Sequence, residues 1–403
     1  MLNPTSFACT LSIALLVALG PLATDMYLPA LPGLTGEFAT SAGRVQLSLS
    51  LFLAGFALAQ IIYGPLSDRF GRKPVLLSGL VLFVLASVAC ALAESIEMLI
   101  LARFVQALGG SAGPVLGRAM VRDIHGPRES ARVLSHIGSA MALAPAFAPI
   151  LGGYMSVYLG WPSIFWFLAL VGLIGAALMV LAIEETAPAE HRHPRPIKTI
   201  LEDYASLLQD GGYLGYTLTC TLAYAGLFAF LSGSAFVIID YFGVSEQHFG
   251  LLFMLVVAGY ISGTLAGARL SRRYDFRRLV AVGSTVLLVA GGTMLLLALA
   301  RPERVMSIVL PMMIFMHGVG LVMPQSMAGA LANYPHIAGS ASGLLGFIQM
   351  TVAGVVGVAV GHGYDGTPVA MALAIAATGL LSLLVYLLLL HRRPGPRPFN
   401  PAA

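Results

Sequence analysis

Charge is what this sequence has least of. Asp, Glu, Lys and Arg make up 10% of its 403 residues, against about 25% in an ordinary soluble domain. That scarcity excludes a string of soluble domains, whose surfaces need far more charge. Cysteine is nearly absent as well. Cys9, Cys90 and Cys220 lie in or beside apolar runs with no Cys or His at ligand spacing; they read as small helix residues, and neither a disulfide framework nor a metal site is expected. Met1 to Ser6 holds no basic residue, and the apolar run behind it continues past Asp25 to two prolines. That is the pattern of an uncleaved first span, not of a signal peptide. Missing too are a nucleotide loop, an HExxH pair, a nucleophile elbow and any soluble domain for chemistry, so an enzyme is not expected.

What is abundant is apolar sequence. Hydrophobic residues reach 58% and the mean hydropathy is +0.87. A helix of about 20 apolar residues crosses a bilayer core. The chain offers twelve such windows, near 7–31, 45–66, 74–93, 97–119, 133–158, 163–183, 213–239, 248–269, 279–300, 306–332, 340–363 and 369–390. The spacing predicts an all-α polytopic membrane protein with twelve transmembrane helices.

The net charge of +4 matters less than its placement. Most of the Lys and Arg fall in or beside alternate loops, among them Arg69, Arg72, Lys73, Arg122, Arg272 and Arg273. Opposite loops hold Arg44, Arg301 and Arg304, and Arg103 stands alone inside a span. Positive loops stay cytoplasmic, which puts both termini inside and makes the span count even. The basic balance reports orientation and not nucleic acid.

The windows divide into six and six, giving halves at 1–183 and 213–390, a linker at 184–212 and a tail at 391–403. The linker opens with "EETAPAEHRHPRP", a Pro- and charge-rich stretch. It then places Ile197, Ile200, Leu201, Tyr204, Leu207 and Leu208 at helical spacing, which predicts an amphipathic helix on the cytoplasmic membrane surface. An internal repeat supports the division: "LSDRFGRK" starts at Leu66 and "LSRRYDFR" at Leu270. In the second copy Arg272 stands where the first has Asp68. Two six-helix halves related by a parallel repeat are one transporter build, with substrate bound at mid-membrane.

Four segments carry a specific resemblance. "GPLSDRFGRKP", Gly64 to Pro74, resembles the loop 2–3 motif of the major facilitator superfamily. Gly64 and Gly71 suit a tight turn, while Arg69, Arg72 and Lys73 suit the anionic inner face. The resemblance implies that Asp68 latches the halves on the cytoplasmic side, near the start of span eleven, "GSASG", where Ser340 or Ser342 can cap the helix. "LILARFVQALGG", Leu99 to Gly110, is similar to the span-four motif, with Gln106 matching and Ala107 in place of Gly; it implies a role in proton coupling for Arg103. "SHIGSAMALAPAFAPILGG" resembles the antiporter motif of span five. There Pro149, Gly152 and Gly153 match, Pro145 adds a kink, and Ser135, Ala144 and Ala148 replace glycines with small residues that keep close packing. Finally "LATDMYLPALP" resembles the first span of the twelve-helix drug:proton antiporter family, and "TDMYLPALP" in particular the Bcr/CflA subfamily of bacterial multidrug exporters.

Asp25 is also singled out by the residues themselves, as the only acid deep in a span. Holding a carboxylate ionised at the bilayer centre costs roughly 2.5–3.5 kcal/mol, while a nearby Arg103 favours the ionised form. A carboxylate balanced between those influences can load and release a proton; the alternative is a permanent Asp25–Arg103 pair locking two helices. Arg103 by itself is alternatively an arginine satisfied by helix carbonyls. His317 offers either a proton relay or a histidine hydrogen-bonded in the packing. An adaptable apolar pocket has candidates in Tyr27, Phe56, Gln106, Met141, Tyr224, Phe228, Met254 and Met316, each of which can instead face lipid.

The resulting expectation is a monomeric exporter in the bacterial inner membrane, partnered by drugs, protons and lipid. It is driven by the proton gradient with no cofactor. The alternatives are a transporter of a natural metabolite on the same fold and a non-transporting membrane receptor. A channel is disfavoured, because one acid and one base cannot form a charged filter ring.

Overall fold

The computed structural model describes residues 7–186, 197–300, 303–334 and 337–391, with side chains for all of these except 7–10, 122, 125–132, 134–143, 182 and 197. Among the described residues the chain is helical and contains no strand. Eleven helical stretches are long and apolar enough to cross a membrane. The remaining window, 133–158, includes residues 134–143, whose side chains are not described.

Local chemistry explains the helix ends. The first span begins as α1 (Phe7–Asp25), passes through a 3₁₀ turn at Leu28–Ala30 and continues as α2 (Leu31–Glu37). Pro29 and Pro32 lack the N–H groups that would bond the carbonyls of Asp25 and Leu28, so the helix is interrupted at Asp25. Ser41 opens α3 (Ala42–Phe70) by accepting from the Arg44 N–H. Gly71 separates α3 from α4 (Arg72–Ala91), and Ser95 caps α5 (Ile96–Gly110) through the Met98 N–H.

A long helical run, α6 (Ala112–Leu159), follows after Ser111. A side chain at Gly113 would strike the Leu16 carbonyl of α1, and one at Gly152 the carbonyl of Met26. Those contacts are about 15 Å apart along the first span but would be about 58 Å apart on a straight helix, so the run turns back and lays two spans beside the first. Next comes α7 (Pro162–Ala182), entered through Gly160 at φ +78 and Pro162 at its first turn.

The amphipathic segment forms α8 (Ile197–Gln209). Beyond it run α9 (Gly211–Ala235), α10 (Glu246–Leu270), α11 (Phe276–Leu299), α12 (Met306–Leu331), α13 (Ala338–Gly363) and α14 (Val369–Val385). Short π-helical turns close the seventh span at Phe236–Tyr241 and the last at Tyr386–Leu390.

Contacts group the chain into two compact units. One comprises Met1–Arg195, Leu231–Met254 and Gly354–Pro368; the other comprises Pro196–Phe230, Leu255–Ala353 and Val369–Ala403. Inside the first, Ser232 donates to Gln46 Oε1 at 3.3 Å and to the Gly357 carbonyl at 3.2 Å, so α3, α9 and α13 meet at a buried polar point. Inside the second, the linker helix is built into the packing. Leu207 joins a core with Tyr213, Tyr216, Ala341 and Leu345, while Leu201 and Leu208 stay exposed. Asp210 accepts from the Gly212 and Tyr213 N–H groups and from the Tyr334 hydroxyl. Burial, aided by that bond, pushes the Tyr334 hydroxyl up to about 12.

Candidate functional site

Two opposite charges stand inside the N-terminal spans, and the protein treats them differently. Arg103, on α5, is fully buried. Its Nη1 donates to the Ala23 carbonyl at 3.0 Å and to Gln106 Oε1 at 2.6 Å. Gln106, one turn away, passes the chain on: its Nε2 donates to Ser87 Oγ at 2.7 Å, and Ser87 donates to the Phe83 carbonyl. Nε and Nη2 of Arg103 have no hydrogen-bond partner. Instead the guanidinium lies 4.2 Å from the Phe52 ring centre, 4.8 Å from Tyr27 and 5.7 Å from Phe165. Ring quadrupoles from α3, α7 and the break in the first span thus hold the cation where hydrogen bonds do not. Tyr27 is itself fixed, its hydroxyl 3.0 Å from Ser48 Oγ.

Asp25, by contrast, is buried to 5% exposure at the break in the first span. No ion pair reaches it among the described residues. Arg103 binds the backbone carbonyl two residues before it and not the carboxylate. The two charges share one neighbourhood without a direct pair, leaving the carboxylate available to a proton or a cationic group. The close contact of Gly152 with the Met26 carbonyl pins the main chain beside Asp25, and Gly153 approaches the Glu246 carbonyl less tightly but still too closely for a side chain. Pro145 and Pro149 lie earlier in the same run.

The loop 2–3 residues form a second cluster. Arg72 donates to Asp68 Oδ1 at 2.5 Å, to Ser67 Oγ at 2.6 Å and to Asp123 Oδ2 at 3.3 Å. The N–H groups of Arg72 and Lys73, which open α4 and have no partner within it, donate to the Glu185 carboxylate at 3.0 and 3.2 Å. Lys73 Nζ donates to the Ile183 carbonyl at 2.7 Å. Arg69 lies over the Phe70 ring. Gly71 takes φ +97 and ψ 157 and makes the turn. Gly64 does not: it sits within α3, seven residues before the turn, and a side chain there would meet nothing. The sequence expectation that both glycines shape the turn is therefore corrected. Ser340, one of the two serines expected as a cap for its own helix, donates to Asp203 of the linker helix at 3.0 Å.

His317 shares a hydrogen bond with Ser262, Nδ1 to Oγ at 2.8 Å. Of the pocket candidates, Tyr27, Phe56, Gln106 and Met254 fall in the first unit, and Tyr224, Phe228 and Met316 in the second; the Met141 side chain lies outside the described residues. Phe56, Phe228 and Met316 are buried, whereas Tyr224 and Met254 are partly open. Sequence reasoning missed Ser87, Ser48, Phe52, Phe165, Asp123 and Glu185. Only the two serines carried a signal, as hydroxyls in apolar windows. Among the described residues no cluster of three His, Cys, Asp or Glu is placed to hold a metal.

The family model described as Major Facilitator Superfamily matches residues 13–358. The Bacillus subtilis MFS-type transporter YdgK is 35% identical over 98% of both chains. A bicyclomycin resistance protein homolog of Haemophilus influenzae is 30% identical over 96% of this chain and 97% of its own. Multidrug resistance protein D of Escherichia coli is 28% identical over 86% of each. The fold matches the crystal structure of a D-xylose-proton symporter with a TM-score of 0.77 at 14% identity, over 97% of this chain and 98% of the other.

Proposed function

The chain belongs to the major facilitator superfamily, as a multi-pass membrane transporter and not an enzyme, and we propose that it exports drugs or other small toxic compounds against an inward flow of protons. Its setting in this reading is the bacterial inner membrane, with both termini in the cytoplasm, and it works as a monomer by alternating access. The observation that carries the proposal is Asp25: a buried carboxylate at a helix break, with no paired cation among the described residues. The resistance names of two relatives support the drug class.

Deprotonated Asp25 favours substrate taken from the cytoplasm or inner leaflet, and protonation on the far side favours release. By thermodynamic reciprocity, a substrate held less tightly by protonated Asp25 must in turn lower its affinity for the proton. Arg103 acts here as the fixed counterpart: it braces the Ala23 carbonyl, keeps the break in register and adds positive potential. Asp68 serves as the cytoplasmic latch, exchanging its Arg72 contact as the halves rock.

Proteoliposomes test this. With an imposed pH gradient and a buffered control, wild type and Asp25→Asn would be assayed with chloramphenicol, a fluoroquinolone and a lipophilic cation. Gradient-driven accumulation by wild type, lost in Asp25→Asn while binding persists, is the expected result. Equal transport by both would reduce Asp25 to a structural role, and no response to any compound would sink the drug assignment.

A further inference from the structure

We propose that the groove between α11 and α12 binds one anionic phospholipid, with the phosphate on Arg304 and an acyl chain along the groove. The groove encloses about 340 Å³ and is lined by Val289, Thr293 and Leu297 on α11 and by Ser307, Leu310 and Ile314 on α12. The lining recurs every three or four residues on both helices, so it is one continuous stripe. From Met306 to Ile314 it runs about 12 Å at 1.5 Å per residue. Half of a bilayer core of about 30 Å is about 15 Å. The groove therefore begins at the membrane surface and ends within one leaflet, the leaflet on the side opposite the linker.

Its chemistry changes along that length as a phospholipid's does. At the surface end stands Arg304, exposed and without an ion-pair partner among the described residues. Its neighbour Glu303 is also exposed and does not line the groove. Ser307 adds a hydroxyl to the lining one turn below Arg304, and Pro311, which has no N–H for the Ser307 carbonyl, lines the groove one turn deeper. Deeper in, the lining has no charge at all. Val289 and Ile314 are more than half and half exposed, at 61% and 50%, so a chain can enter sideways from the membrane. A guanidinium matches a phosphate in geometry as well as sign, and a headgroup with net negative charge, having no cation of its own to offset that phosphate, gains more from it than a zwitterionic one.

The experiment is lipid titration of the purified protein in a mild detergent, reading occupancy of the first bound lipid by native mass spectrometry. Wild type, Arg304→Gln and Thr293→Phe would each be titrated with phosphatidylglycerol and with phosphatidylcholine. Arg44→Gln is the control, because Arg44 is likewise exposed at a span end on that membrane side but pairs with Glu97. Wild type is expected to prefer phosphatidylglycerol. Arg304→Gln should weaken that lipid about fivefold and phosphatidylcholine, whose choline offsets its phosphate charge, by less, so that the preference falls. Thr293→Phe, at an exposed position, should weaken both by obstructing the groove. Absence of a preference in wild type, a preference retained by Arg304→Gln, equal loss in Arg44→Gln, or unaltered binding by Thr293→Phe would each overturn the assignment.

Discussion

The connection after span two and its repeat after span eight begin from related sequence, yet they satisfy the same backbone need by different chemistry. Each must supply acceptors for the orphan N–H groups opening the next helix. After α3 the turn is a single glycine in a conformation confined to glycine. The acceptor is Glu185, more than a hundred residues further on. Asp68, Arg72 and Asp123 complete a knot joining α3, α4, α6 and the end of α7. After α10 the chain takes a longer turn with Arg272 and Arg273 in solvent, and Asp275 caps α11 locally by accepting from the Arg278 N–H at 2.9 Å. No residue of that turn has positive φ. The first connection binds span ends together through ion pairs and hydrogen bonds; the second caps its helix locally. A repeat can keep its outline while one copy gives up the mechanical role.

Substitutions should rank accordingly, read as apparent melting temperature in one detergent. Gly71→Ala is expected to cost most, about 2–3 kcal/mol, because its backbone angles are strained for any side chain. Should Ala be tolerated, the connection is not held by its glycine and the contrast fails. Arg72→Ala comes next, at about 1–2 kcal/mol: it strands Asp68 and Asp123, but Asp68 is 40% exposed and water screens the loss. A double-mutant cycle with Asp68→Ala measures the shared part. Asp275→Ala in the second connection should cost about 1 kcal/mol, the worth of one N-cap, with no coupling to any loop 2–3 residue. Arg272→Ala should stay within about 0.5 kcal/mol; a larger drop would show that the exposed arginines of the second copy do bind something.

Much of this was legible in the sequence, for identifiable reasons. Long apolar windows announce spans because lipid demands them, and Pro29 and Pro32 sit where the first span is interrupted. Asp25 and Arg103 stand out because charge is so scarce around them. What surrounds Arg103 was not legible. Phe52 and Phe165 come from helices more than a hundred residues apart, and an aromatic residue in an apolar window carries no mark of facing a cation. Glu185 reads as one more linker charge until folding brings it to the start of α4. Gly64 misled for the opposite reason: a glycine near a turn invites a conformational reading, although this one lies in plain helix.

The tight seat of Gly152 has a consequence for heredity. A transporter gene can gain altered specificity only through codons that tolerate change. Codon 152 is expected to offer none, since every replacement drives a side chain into the Met26 carbonyl and displaces the main chain next to Asp25. Novelty must then be recruited at positions with room around them, such as Tyr224 and Met254, while the seat beside the carboxylate passes unaltered from one generation to the next.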